Sequence, residues 1–396
     1  AAEYSLEPGQ KVVGKPVRYT VKPGEVFGDI ARQFDIGYTE LVTANPGVNP
    51  WVPGVGRTLT IPTTHVLPDG PRQGIVINLA QWRLFYFPPG GDRVETFPIT
   101  IGFIGKNTPV GATRIVSKEP NPTWYPPASI RAEEPELPAA VPPGPDNPLG
   151  AYAMHLGWKN YLLHGTNKPD SIGRAVSHGC MRLYPEDVEK LFGEVGVGTS
   201  VRTVQAPATA GWQGDGLYVQ VYPSKSQTEE IDTMQPVTPD PADGVDTVVR
   251  GAAGNYAELV DWSAVRRAAR ERTGIAVKIA DRSGAGIAES RNDDSVPQRY
   301  GRDYVAGARD ESPVSRYEGS TSRYESSAPR YDSRAYGYYG PGYGSVVQDR
   351  NPASPRFDPA TQYYRPGYGS APGDAADADY DDQPAPLQMP PSHYSR

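Results

Sequence analysis

The sequence predicts an α+β chain: a small βααβ module, a β-rich domain, a small α/β C-terminal subdomain and a disordered tail. Three observations predict it. Apolar residues follow helical spacing only in short blocks, near residues 26–45, 185–193 and 261–272, whereas the centre alternates short apolar runs with turn residues. Those runs are not separated by regular helices, which argues against a βαβ arrangement. Glycine and proline number 43 each among 396 residues, and the last quarter is rich in Tyr, Arg, Ser, Gly, Pro and Asp with almost no Leu, Ile or Val. That composition cannot bury enough apolar surface to order itself. The expected divisions are 17–62, 73–204, 215–280 and a low-complexity tail at 283–396.

In the first module, residues 19–21 read as a strand, 23–25 as a turn, 26–34 and 38–45 as helices, and 59–62 as a closing strand. Ile30, Phe34, Leu41 and Val42 supply its buried face. In the second, 75–79 and 83–87 are tightly joined strands, 88–92 is a turn, and strands follow at 96–101, 112–118, 150–156 and 161–166. Two proline-rich stretches, 119–127 and 133–148, interrupt the series as lids or inserts. Pro185 suits a helix start, with Glu186 and Asp187 at the positive end of the dipole; Val188, Leu191 and Phe192 share a face, and Gly193 ends it.

Residues 217–222 and 275–279 are expected as strands around an amphipathic helix at 261–272, with Trp262, Val265 and Ala269 on its buried side. In the tail, Arg316-Tyr317-Glu318, Arg323-Tyr324-Glu325 and Arg330-Tyr331-Asp332 recur at a seven-residue spacing. The Ser, Gly and Pro between them cannot build a coiled-coil seam, which leaves a solvated tail or a cell-wall tether.

The formal net charge of −7 leaves no basic footprint for nucleic acid. No apolar run is long enough for a transmembrane segment. The chain opens on Ala-Ala-Glu without an initiator Met and reads as an exported protein whose signal peptide has been removed, although a trimmed sequence would begin the same way.

Cys180 is the single cysteine, so it cannot form an internal disulfide; nucleophile, small buried hydrophobe and metal ligand are its uses. It stands in Ser177-His178-Gly179-Cys180-Met181-Arg182-Leu183, downstream of His164-Gly165-Thr166. A thiol needs a neighbour that takes its proton or stabilises the thiolate, and both histidines are on offer. His178, two residues away in an extended segment, would share the strand face of Cys180; His164, ending an adjacent strand, would reach it from the side. Backbone N–H groups around Gly179 and Cys180 would serve a tetrahedral oxyanion, and Ser177 would order the turn. Arg182 would clamp a substrate carboxylate or make a structural ion pair. Tyr152 and Trp158 flank the region as cleft walls or as ordinary core aromatics. Zinc competes for His155, His164, His178 and Cys180, but their spacing fits no common zinc pattern, so no metal or other cofactor is expected. His65 and His393 are expected to do nothing chemical.

The two segments together resemble the active-site signature of the L,D-transpeptidases, with a YkuD-type catalytic domain, in particular the ErfK/YbiS/YcfS/YnhG group of Gram-negative bacteria. Thr108-Pro109-Val110-Gly111 fits the same pattern, and the portion after the catalytic domain resembles that group's C-terminal subdomain. The 17–62 module resembles a LysM domain through residues 19–25, Ile30-Ala31, Ala44-Asn45-Pro46 and 59–62; such modules bind peptidoglycan or chitin glycan, and a folded spacer is the plainer alternative. The resemblance implies a periplasmic enzyme in which Cys180 attacks the third residue of a tetrapeptide stem, meso-diaminopimelate, and releases D-alanine. It places the base on His164, which a backbone carbonyl such as that of Gly165 would orient, and leaves His178 beside the oxyanion. Gly165 and Thr166 would border the substrate. The thioester would pass to an amine, either a neighbouring stem peptide, giving a 3→3 crosslink, or a lysine of an outer-membrane lipoprotein. A carbapenem would acylate the same thiol. An L,D-carboxypeptidase or thiol amidase using water, and a non-catalytic wall-binding protein, are the alternatives.

Overall fold

Short β-branched and aromatic runs with one buried face must pair laterally to satisfy their backbone groups. In the computed structural model, which describes residues 1–103 and 106–284, they form one nine-stranded sheet. Its order is Ala2–Ser5, Arg93–Pro98, Arg83–Phe87, Gly74–Asn78, Ser200–Val204, Gly111–Pro120, Tyr152–Leu156, Leu162–His164 and Met181–Arg182. Most neighbours are antiparallel. Two pairs are parallel: Val201 opposite Ile75, and Leu163 and His164 opposite Met181 and Arg182. Ile75, Ile77, Leu84, Phe97, Met154 and Leu163 fill the core beneath the sheet, and the helix Pro185–Glu194 closes it with Val188 and Leu191. This is the expected α+β, β-rich architecture.

That helix runs past Gly193, where its end was expected. Its last carbonyls are satisfied by a side chain instead: Lys118 Nζ donates to Phe192 O at 2.5 Å and Val195 O at 2.7 Å. The first proline-rich stretch also begins late, because the strand Gly111–Pro120 continues into it. The insert then folds as a strap containing the short helix Ala128–Glu133. Trp124 pairs with Val141, and the buried Asn147 amide donates to the carbonyls of Pro122, Val141 and Pro142.

In the N-terminal module, Val17–Thr20 pairs with Thr58–Ile61 over the helices Phe27–Gln33 and Tyr38–Ala44. Ile30, Phe34 and Leu41 are buried, and Val42 packs at the edge of their cluster. Asn45 ties helix to strand by exchanging hydrogen bonds with Thr60 N–H and C=O, both at 2.8 Å. The module is seated on the sheet: Tyr38 N–H donates to Ile172 O, and Arg83 pairs with Glu40 at 2.9 Å.

The third core lies on the antiparallel sheet Ala208–Gln213, Gly216–Val221 and Val277–Asp281. Val245–Ala253 and Trp262–Glu271 cover it. The second of these helices starts at the Asp261 N-cap, which accepts from Ser263 N–H and Ala264 N–H. It buries Ala264, Val265 and Ala268, with Trp262 and Ala269 half-buried at the margin. Arg250 lies over the Trp262 ring at 4.4 Å, which draws that ring toward the surface. The tail and its seven-residue repeats, from residue 285 onward, lie outside the described residues.

Candidate active site

Register decides which side chains meet. Leu163 and Met181 face each other across the parallel pair and are buried in the core, so by alternation His164 and Arg182 project from the opposite face. Cys180 directly precedes that strand, with Leu162 N–H and the charge of Arg182 near its thiol. His164 is 4% exposed, and its Nδ1 lies 2.7 Å from Gly165 O. A carbonyl only accepts, so Nδ1 carries the proton toward Gly165, and the carbonyl of Leu149 hydrogen-bonds the ring as well. Burial, reinforced by the charge of Arg182, lowers the imidazole to a pKa of about 3, so it is neutral at physiological pH.

The Cys180 thiol donates to Asn160 O at 3.4 Å. Burial pushes it above its ordinary value, against the pull of a backbone hydrogen bond and of Arg182. The thiol is therefore neutral, not the thiolate that adjacent histidines suggest, because desolvation outweighs those two pulls.

Ser177 Oγ accepts from Gly179 N–H at 3.2 Å and donates to Cys180 O at 2.5 Å, so the expected turn is present. Gly179 has φ +106°, and a Cβ there would stand 2.8 Å from Tyr161 Cε1, so only glycine fits. The turn corrects two expectations. Strand alternation does not carry from His178 to Cys180, so they do not share a face by periodicity; His178 instead packs edge-on against Phe103, with centroids 5.2 Å apart. Gly179 N–H is engaged by Ser177 and is not an oxyanion donor, whereas among the described residues no acceptor takes Cys180 N–H.

Arg182 is half-buried, its Nε is enclosed without a hydrogen-bond partner, and among the described residues no carboxylate pairs with it. Gly165 contributes the carbonyl that orients His164. Thr166 Oγ1 accepts from Lys168 N–H at 2.9 Å and lines a cavity of about 270 Å³ with Asn121, Asn147 and Asn167. Tyr152 packs against Phe192 with rings tilted and centroids 4.7 Å apart, and belongs to the core margin. Trp158 meets Tyr161 at 6.3 Å and is one ring removed from Gly179. His155 pairs with Glu119 at 3.5 Å. Among the described residues no cluster of His, Cys, Asp and Glu could hold a metal ion.

Sequence reasoning missed Tyr161, whose ring walls Gly179, and Asn160, whose carbonyl receives the thiol. Asn160 sits at φ +66°, and the Lys159-Asn160 turn before a strand was the available signal.

Residues 72–203 match the YkuD family, the L,D-transpeptidase catalytic domain, and residues 19–62 match the LysM domain. Probable L,D-transpeptidase YcfS of Escherichia coli K12 is 42% identical over 241 residues, which is 58% of this chain and 75% of the relative. Probable L,D-transpeptidase ErfK/SrfK of Salmonella typhimurium is 38% identical over 295 residues, 71% of this chain and 92% of the relative. Among solved structures, an L,D-transpeptidase from Mycobacterium tuberculosis H37Rv aligns with a TM-score of 0.26 at 21% identity, over 38% of this chain and 63% of that one.

Proposed function

This chain belongs to the L,D-transpeptidase family, and on that premise we propose that it is a periplasmic peptidoglycan acyltransferase with Cys180 as nucleophile and His164 as base. The observation that carries the reading is the buried, neutral His164, its Nδ1–H held by Gly165 O, on a strand paired with the one that directly follows Cys180. As Cys180 Sγ attacks the carbonyl of the third stem residue, the thiol proton passes to His164 Nε2 and the carbonyl electrons form an oxyanion. Collapse breaks the bond to D-alanine, whose amine takes the proton from His164. The thioester is then attacked by an acceptor amine, which gives its proton to His164, and the departing sulfur recovers it.

Arg182 receives a carboxylate of the stem peptide; a half-buried guanidinium near the nucleophile, its enclosed Nε without a partner among the described residues, supports that role. His178 borders the reacting carbonyl, and the cavity that Thr166 lines with Asn121 and Asn147 would take part of the stem. The 17–62 module binds glycan strands and raises the local stem concentration for the 73–204 catalytic domain, with 215–280 as a separate supporting subdomain. The acceptor is a neighbouring stem or a lipoprotein lysine. Incubating the full chain with diaminopimelate-containing disaccharide-tetrapeptide should release D-alanine and yield dimers joined between third residues. Release of D-alanine with tripeptide as the sole product would make it a hydrolase.

A further inference from the structure

The oxyanion donor left by the turn is the N–H of Cys180, and its direction is set from outside the motif. Thr108 is 4% exposed; its Oγ1 accepts from Gly102 N–H at 3.2 Å and donates to Gly179 O at 2.8 Å. The described residues contain no cis peptide, so the carbonyl of Gly179 and the N–H of Cys180 point in opposite directions across one planar unit. Holding the carbonyl against buried Thr108 therefore turns the N–H away from the interior. It belongs to the residue that carries the nucleophile, which keeps it near the carbonyl that Sγ attacks. The approach is close by construction: a Cβ on Gly102 would collide with Lys106 O and stand 3.0 Å from Gly179 Cα.

We propose that Thr108 is a positioning residue for the oxyanion hole, fixing the Gly179–Cys180 peptide so that the Cys180 N–H meets the developing negative charge. The inference rests on Cys180 being the acylated nucleophile. Ser177 holds the same turn internally, whereas Thr108 anchors it to the neighbouring Ile101–Gly102 strand, so the loop is clamped on both sides. Thr108→Val keeps the shape and removes the donor; Thr108→Ser keeps the donor.

The test compares two reactions at one sulfur. Acylation by disaccharide-tetrapeptide passes through an oxyanion, whereas alkylation by iodoacetamide displaces iodide and forms none. Because deleting an oxyanion donor outright costs about 10²–10³-fold, misaiming one in Thr108→Val should slow single-turnover acylation by about tenfold or more. KM for the donor and the alkylation rate should stay within about twofold, and Thr108→Ser should restore acylation. If the valine variant does not fold, Thr108→Ala should show the same split. Acylation unchanged, acylation and alkylation falling in proportion, or a serine variant as slow as the valine one would each overturn the proposal. A wild-type Cys180 that is alkylated but never acylated would overturn the underlying reading, and this inference with it.

Discussion

The seam between the N-terminal module and the sheet, and the pocket around Cys180, both bury charged groups and treat them oppositely. At the seam, Arg83 is fully buried and its guanidinium is met by Glu40 at 3.2 and 2.9 Å, Thr96 Oγ1 at 3.0 Å and Asp35 O at 3.1 Å. Arg174 lies over the Tyr38 ring at 3.5 Å and pairs with Asp232 at 3.2 Å. At the pocket, Arg182 has no carboxylate among the described residues and one idle Nε. A buried cation costs desolvation wherever it stands. At the seam partners offset that cost and the charge fastens the two bodies together; Arg182 carries its charge with no such partner among the described residues.

The largest expected effect falls on the site. His164→Ala should slow acylation by about 10²–10⁴-fold, measured in single turnover, with His178→Ala slower by less because it leaves the base in place. A thiol whose ionisation responds to His178→Ala and not to His164→Ala would exchange the two roles.

At the seam, Glu40→Ala strands Arg83 and should destabilise the fold by about 3–5 kcal/mol in denaturant unfolding. Arg182→Met sharpens the contrast: it should leave the melting temperature unchanged or raise it while weakening donor binding, because no partner is abandoned. A Tm drop matching that of Glu40→Ala would make Arg182 structural. Since the seam is this intimate, excising the 17–62 module would expose Arg83, so single substitutions separate glycan binding from stability more cleanly than truncation.

The pH dependence follows with its sign. His164 stays neutral down to about pH 3, so kcat/KM for acylation should show no acid limb near the ordinary histidine value of about 6.5. Stability behaves differently. The imidazoles of His164 and His65 titrate below their unfolded values, so the unfolded chain binds more protons as pH falls below about 6.5. These two imidazoles therefore contribute a loss of stability as pH falls from about 6.5 toward 3, which His65→Leu should reduce, while Glu194 and Asp232, raised to about 7 and about 6, contribute in the opposite direction. Smallest of all, the half-exposed Arg32–Glu186 pair at 2.8 Å should contribute no more than about 1 kcal/mol in a double-mutant cycle.

The signature was legible because rare residues stand in fixed order, and the strand series, the Pro185 helix start and the Gly165 carbonyl on His164 followed from local pattern and resemblance. What escaped depends on distance in sequence. Arg83 reads as one polar residue of a half-buried strand, and nothing local reveals that Glu40 waits 43 positions earlier to bury it. The edge strand Ala2–Ser5 pairs with residues far along the chain, Ala2 with Thr96 and Ser5 with Arg93. Strand periodicity suggested that His178 and Cys180 share a face, but Ser177 and a left-handed Gly179 impose a turn there. Thr108 was visible as part of a pattern, yet its contact with Gly179 O spans 71 residues.

The assignment of Cys180 is tested most directly by intact-protein mass spectrometry after incubation with diaminopimelate-containing disaccharide-tetrapeptide, with the adduct mapped by proteolysis. The wild-type chain should gain the mass of the donor less D-alanine on the peptide containing Cys180, with Cys180→Ala folded and unmodified. An adduct mapped to another residue, or full crosslinking by Cys180→Ala, would contradict it.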